Sequence, residues 1–131
     1  MTKILDASAL IAYLEKEPGY ETVKDLLAKA AESQKDLLMT TVNWGEVCYI
    51  LLRNHKEDAE KVLRLIETFP IEFVDVDLHL AKQAAIYKAE KKLPFVDCFA
   101  AALAKIRKAE LVTADKDFKA VEDQIKIIWI A

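Results

Sequence analysis

Five short apolar runs alternate with longer segments of helical periodicity, and this alternation constrains the fold more than any other feature of the chain. The runs are residues 3–6, 36–41, 71–76, 111–113 and 125–130. Each is bounded by polar or turn-forming residues, the pattern of a buried strand. Strands that alternate with helices argue for a parallel sheet with helices on both faces, an α/β fold of three α/β/α layers and about five strands. The last run is almost wholly apolar, as expected of a strand covered on both faces.

The segments between the runs read as helices. One follows Asp6 and stops before Pro18-Gly19. Residues 20–31 carry Val23, Leu26, Leu27 and Ala30 at helical spacing. Asn43 is placed as the N-cap of a helix bearing Glu46, Val47, Ile50 and Leu51. Further helices are expected over 56–69, closed by Pro70, over 78–92, and over 95–108 after Pro94.

Composition supports one domain spanning 1–131. Two glycines and three prolines leave no room for a flexible linker. No charge-free run of about 18 apolar residues exists to cross a membrane. The first residues lack a secretory pattern, and Cys48 and Cys98 both sit in apolar helical contexts. A cytoplasmic, reducing location is therefore expected. Neither His55 nor His79 completes a zinc-ligand spacing with these thiols. A net charge of −3 neither advertises nor excludes a nucleic-acid partner.

Four acids recur at similar places. Asp6 ends the first strand, Glu46 lies in the first turn of the helix after the second, and Asp97 lies in the first turn after Pro94. Asp115 follows the fourth strand. Each has an ordinary structural reading as a helix cap, a turn residue or a partner for a helix dipole. Asp117 reads as the cap of a short helix. Their joint placement says more, because right-handed crossovers gather strand C-termini at one edge of a parallel sheet. Carboxylates converging there repel one another and raise their own pKa values. A divalent cation relieves this, and an all-oxygen donor set suits Mg²⁺ or Mn²⁺ better than zinc.

At these residues the chain resembles the PIN-domain family, specifically the VapC-type toxin ribonucleases of toxin–antitoxin pairs. The resemblance is carried by residues 4–12, 41–47, 93–104 and 111–118 taken in order. It implies Mg²⁺- or Mn²⁺-dependent hydrolysis of RNA phosphodiesters. Asp6, Glu46, Asp97 and Asp115 are then the catalytic, metal-binding acids, with Asp117 auxiliary and the Ser8 and Thr113 hydroxyls supporting. Cys98 stands where the family more often has alanine. The resemblance also implies a homodimer and a cognate antitoxin whose C-terminal segment covers the acidic groove.

RNA requires positive charge near such a site. Lys88, Lys91 and Lys92 precede Pro94, and Lys116 adjoins Asp115. Read blandly, these are ordinary solvated lysines. Trp44 is offered either as a base-stacking ring or as a packing residue. Leu10, Tyr13, Leu26 and Leu27 supply enough apolar surface to cover a core and leave an interaction patch. Three alternatives stand beside the toxin: an RNA-processing nuclease, an inert interaction module, and an aspartate-nucleophile phosphohydrolase. The last lacks its second aspartate, because Ser8 occupies that position. P-loop and dinucleotide motifs are absent.

Overall fold

In the computed structural model, which describes residues 1–131, five strands pair in parallel. They are β1 (Lys3–Leu5), β2 (Leu37–Thr40), β3 (Ile71–Val74), β4 (Glu110–Thr113) and β5 (Lys126–Trp129), ordered β3-β2-β1-β4-β5 across the sheet. Six α-helices connect them: α1 (Ala7–Leu14), α2 (Tyr20–Ser33), α3 (Thr41–Asn54), α4 (Ala59–Ile66), α5 (Leu78–Glu90) and α6 (Phe95–Arg107). A 3-10 helix, Lys116–Val121, joins β4 to β5.

The alternation of side chains along each strand builds two cores. Ile4, Leu38 and Leu111 face α5, α6 and the 3-10 helix. Leu5, Met39 and Val112 face α1 to α4. The result is the expected three-layer α/β/α arrangement. Helix α6 is buried almost all round, and Ala100, Ala101, Ala102 and Ala104 are each 1% exposed or less. These small side chains let the helix lie close against β1, β2 and β4.

Strand order positions the site. From β1 the chain moves outward to β2 and then β3 along one face. It returns under the opposite face to β4, on the other flank of β1. Connections that leave neighbouring strands in opposite directions open a crevice at their carboxyl ends. Asp6 and Asp115 stand at the ends of that pair of strands, β1 and β4.

Several expectations are corrected. The cap of α3 is Thr40, whose hydroxyl accepts from the Asn43 N–H at 3.0 Å. The helix therefore starts earlier, and Glu46 falls beyond its first turn. Asp115, not Asp117, caps the 3-10 helix, accepting from the Asp117 N–H at 2.9 Å. The helix expected over 56–69 is only Ala59–Ile66, and the third strand stops at Val74. β5 is an edge strand and is half-exposed, though both its faces are covered in part: Ile127 and Trp129 pack into one core, and Ile128, with Ile130 just past the strand, into the other. It pairs with β4 alone, and a run of apolar letters cannot reveal that edge position. The proposed patch is also displaced. Leu10 and Leu27 are buried, and Tyr13 stacks on Tyr20 at 5.4 Å. Exposed apolar side chains lie instead at Tyr49, Leu52, Leu65, Leu78, Ile86 and Phe95. Trp44 packs against Phe73, with ring centroids 4.9 Å apart.

Candidate active site

Asp6 is both a helix cap and the centre of a polar network. It is 2% exposed, and its Oδ1 accepts from the Ala9 N–H at 2.9 Å, capping α1. The Ser8 hydroxyl lies 2.8 and 2.9 Å from the two carboxylate oxygens, and Thr113 donates to Oδ2 at 2.6 Å. Those hydroxyls accept in turn. The Ala114 N–H donates to Ser8 at 3.0 Å, and the Asp115 N–H donates to Thr113 at 2.9 Å. The end of β1 is thereby stitched to the turn that follows β4. Burial raises the Asp6 carboxyl to about 6. The bonds from Thr113, Ala9 and Ser8 hold it back, and the charge of Asp115 adds to the rise.

Asp97, in the first turn of α6, is 7% exposed and accepts no hydrogen bond from a side chain. Burial, then the negative charges of Asp115, Asp6, Glu46 and Asp117, push its carboxyl up to about 8. Glu46 is half-buried, and burial followed by the charge of Asp115 raises it too. These mutual effects place all five acids in one electrostatic neighbourhood at the carboxyl edge of the sheet.

Within it, one group is tight. Carboxylate oxygens of Asp97, Asp115 and Asp117 all lie within 4.8 Å of one another. Asp6 and Glu46 stand outside that trio, and Asp6 already engages Ser8, Thr113 and Ala9. No Lys, Arg or His nitrogen comes within 4.0 Å of any of the five acids; the ion pairs of the chain are Lys3–Glu110, Lys126–Glu110 and His55–Glu15. The acids thus lie together with no cationic side chain paired to them. Carboxylates in that state, with Asp97 buried, Asp115 half-buried and Asp117 exposed, fit a hard divalent cation, which offsets the charge and takes oxygen ligands. Asp97, Asp115 and Asp117 are the residues whose spacing could hold it.

The basic residues are less convergent. Lys88 donates to the Leu93 carbonyl at 3.2 Å. Lys116 lies over the Trp129 ring, 4.8 Å from its centroid, and donates to the Ala131 carbonyl at 2.5 Å. Lys91 caps the end of α5, and Lys92 is exposed. Sequence reasoning gave no role at the site to Thr40, nor any to Asn43 beyond capping. Both are 0% exposed, and their only sequence signal is a polar pair where strand gives way to helix.

Comparison with known proteins agrees with this architecture. The PIN domain family model matches residues 3–124. The chain is 29% identical over 83 residues to a VapC ribonuclease of Mycobacterium bovis and to ribonuclease VapC42 of Mycobacterium tuberculosis. That stretch is 63% of this chain and spans only 60% of each relative. The crystal structure of VapBC2 from Rickettsia felis, bound to a promoter DNA fragment, superposes with a TM-score of 0.79 at 17% identity, covering 98% of both chains. VapC20 of Mycobacterium tuberculosis, described as a toxin that cleaves the sarcin-ricin loop, gives 0.73 at 19% identity over 92% of this chain and 95% of that one. The structural matches extend over nearly the whole fold and the family model over almost all of the sequence, so this chain belongs to the PIN domain family.

Proposed function

We propose that the chain is a divalent-metal-dependent endoribonuclease that hydrolyses RNA phosphodiester bonds, and that it is the toxin of a toxin–antitoxin pair. The observation that carries the nuclease reading is the trio Asp97, Asp115 and Asp117. Its oxygens meet within 4.8 Å, with no protein cation to neutralise them. A bound Mg²⁺ or Mn²⁺ would acidify a coordinated water and offset the charge that builds on phosphate during hydrolysis.

The protein's own groups have distinct tasks. Asp97, Asp115 and Asp117 supply oxygen ligands. Asp6 and Glu46, beside the trio, complete the acidic metal-binding set, with Asp6 aimed by Ser8 and Thr113. The proton that Asp97 holds up to about pH 8 must leave before its carboxylate can ligate, so metal binding strengthens with rising pH. Lys91 and Lys92, with Lys88 and Lys116 if their present partners are exchanged, provide positive charge for the RNA backbone.

The toxin reading is supported by the VapC ribonucleases among the relatives and by solved toxin–antitoxin complexes of the same fold. On this reading the partners are RNA, a cognate antitoxin protein and a second copy of the chain. The setting is the cytoplasm, and residues 1–131 act as one domain. No helix is long and apolar enough to cross a membrane.

The test is cleavage of a mixed RNA pool with Mg²⁺ or Mn²⁺ against EDTA, with Asp6→Asn in parallel. Asparagine keeps the cap of α1 but removes the charge. Metal-dependent cutting that disappears in the mutant is expected. Equal cutting by wild type and mutant, after removal of host nuclease, would sink the assignment.

A further inference from the structure

Asn43 touches none of the five acids, yet it is fully buried and every polar group of its side chain is committed. Its backbone N–H donates to the Thr40 hydroxyl at 3.0 Å, and its side-chain oxygen accepts from that same hydroxyl. This leaves the amide NH₂ facing the other way, where it donates to the Val96 carbonyl at 3.2 Å. Val96 immediately precedes Asp97. Thr40 is the last residue of β2 and is itself 0% exposed. The pair therefore ties the end of β2 to the first turn of α6, across 53 residues of sequence.

That turn needs a tie. Pro94 stands at the N-cap of α6 and provides no side-chain cap. The oxygens of Asp97 lie within 4.8 Å of those of Asp115 and Asp117, so where this turn sits decides whether the three can share a ligand. A buried amide donor on the neighbouring carbonyl fixes the turn without adding charge. The Val96 carbonyl can only accept, so it takes the NH₂ end of the amide, and the Thr40 hydroxyl anchors the amide oxygen on the other side.

We propose that Asn43, oriented by Thr40, is a positioning residue that holds Asp97 within ligand distance of Asp115 and Asp117. The proposal rests on the metal-dependent nuclease reading above. Groups standing behind a metal ligand commonly alter metal affinity or activity by about 10–100-fold when removed, and small displacements at a reacting centre have effects of similar size.

The experiment compares Asn43→Ala, Thr40→Val and Thr40→Ser with wild type in the full chain. Mn²⁺ affinity is measured by isothermal titration calorimetry well below each variant's Tm, with circular dichroism as the check of fold. Cleavage rate is measured at saturating Mn²⁺ and RNA. Asn43→Ala and Thr40→Val should bind Mn²⁺ about 10–100-fold more weakly, and Thr40→Ser should restore wild-type affinity. Should Asn43→Ala not fold, Thr40→Val decides, since it keeps the amide and removes the hydroxyl that anchors it together with the cap of α3, both of which Thr40→Ser retains. Wild-type Mn²⁺ affinity in a folded Asn43→Ala or Thr40→Val variant, whatever its Tm, overturns the proposal and leaves the nuclease reading standing. A folded wild type that neither binds Mn²⁺ nor cuts RNA overturns both.

Discussion

Replacing Asp97 by Asn should stabilise the metal-free protein, and more so as pH rises. In the folded chain, burial and four neighbouring acids keep the Asp97 carboxyl protonated up to about 8, whereas its ordinary value is 3.8. Between those values the folded state holds a proton that the unfolded state has released. Stability then falls as pH rises, by ~1.4 kcal/mol per pH unit for a single group. By pH 7 the ceiling on this penalty is ~4 kcal/mol. Salt screening of the neighbouring charges and local relaxation reduce it, to on the order of 1–2 kcal/mol. Asp6, raised to about 6, adds a penalty of the same sign that is complete by that pH. Asn is nearly isosteric and cannot ionise, so Asp97→Asn removes the larger part. Urea denaturation in EDTA at pH 5 and pH 8 should show a small difference between the two proteins at pH 5 and a clear gain for the variant at pH 8. Adding Mn²⁺ should reverse the order at pH 8, because the ion stabilises only the protein that retains its ligand. A variant no more stable than wild type at pH 8 in EDTA would refute the claim that Asp97 is held in a strained electrostatic position.

Other substitutions separate the remaining forces. Thr113→Val removes the donor to Asp6 and leaves the Asp115 N–H without its acceptor; a loss of ~1–3 kcal/mol in urea denaturation is expected. Glu110 is 7% exposed and sits between Lys3 at 3.3 Å and Lys126 at 3.2 Å. Burial alone would raise its carboxyl, but hydrogen bonds and charge from the two lysines carry it below the usual range. Its contribution is present above the ordinary value of 4.5 and is lost as pH falls through the lowered one. Glu110→Gln should therefore cost about 1 kcal/mol at pH 7 and close to nothing in strong acid. The two glycines should respond in opposite ways to alanine. Gly19 has φ +96° and would place a Cβ 2.7 Å from Ile130, so Gly19→Ala should lower Tm. Gly45 is helical with open space around it, so Gly45→Ala should add ~1 kcal/mol.

Local chemistry made much of this protein readable in advance. Apolar runs such as Ile4-Leu5 and Leu111-Val112 are short and bounded by polar residues, which is enough to identify strands. Their alternation with helical segments is enough to specify a parallel sheet. Because strand ends of such a sheet share one edge, the gathering of Asp6 and Asp115 at that edge follows from the order of the elements. The position of Pro94 likewise announces the start of α6, and hence the first-turn position of Asp97. Element boundaries were less legible, as at Thr40, because a cap depends on which hydroxyl reaches a free N–H.

The remaining features come from contacts between residues far apart in the chain. The placement of β5 at the edge, the switch of direction between β1 and β4, and the entry of Asp117 into the trio all depend on strand order and crossover geometry. So does the reach of Asn43 to Val96. Hydrophobic periodicity specifies which face of an element is buried but not which element buries it. Strand and helix patterning alone thus places acids along one edge of a parallel sheet. The packing of α6 beneath β1 and β4 decided which of them stand close enough to share an ion, because distance between side chains is a property of the whole fold.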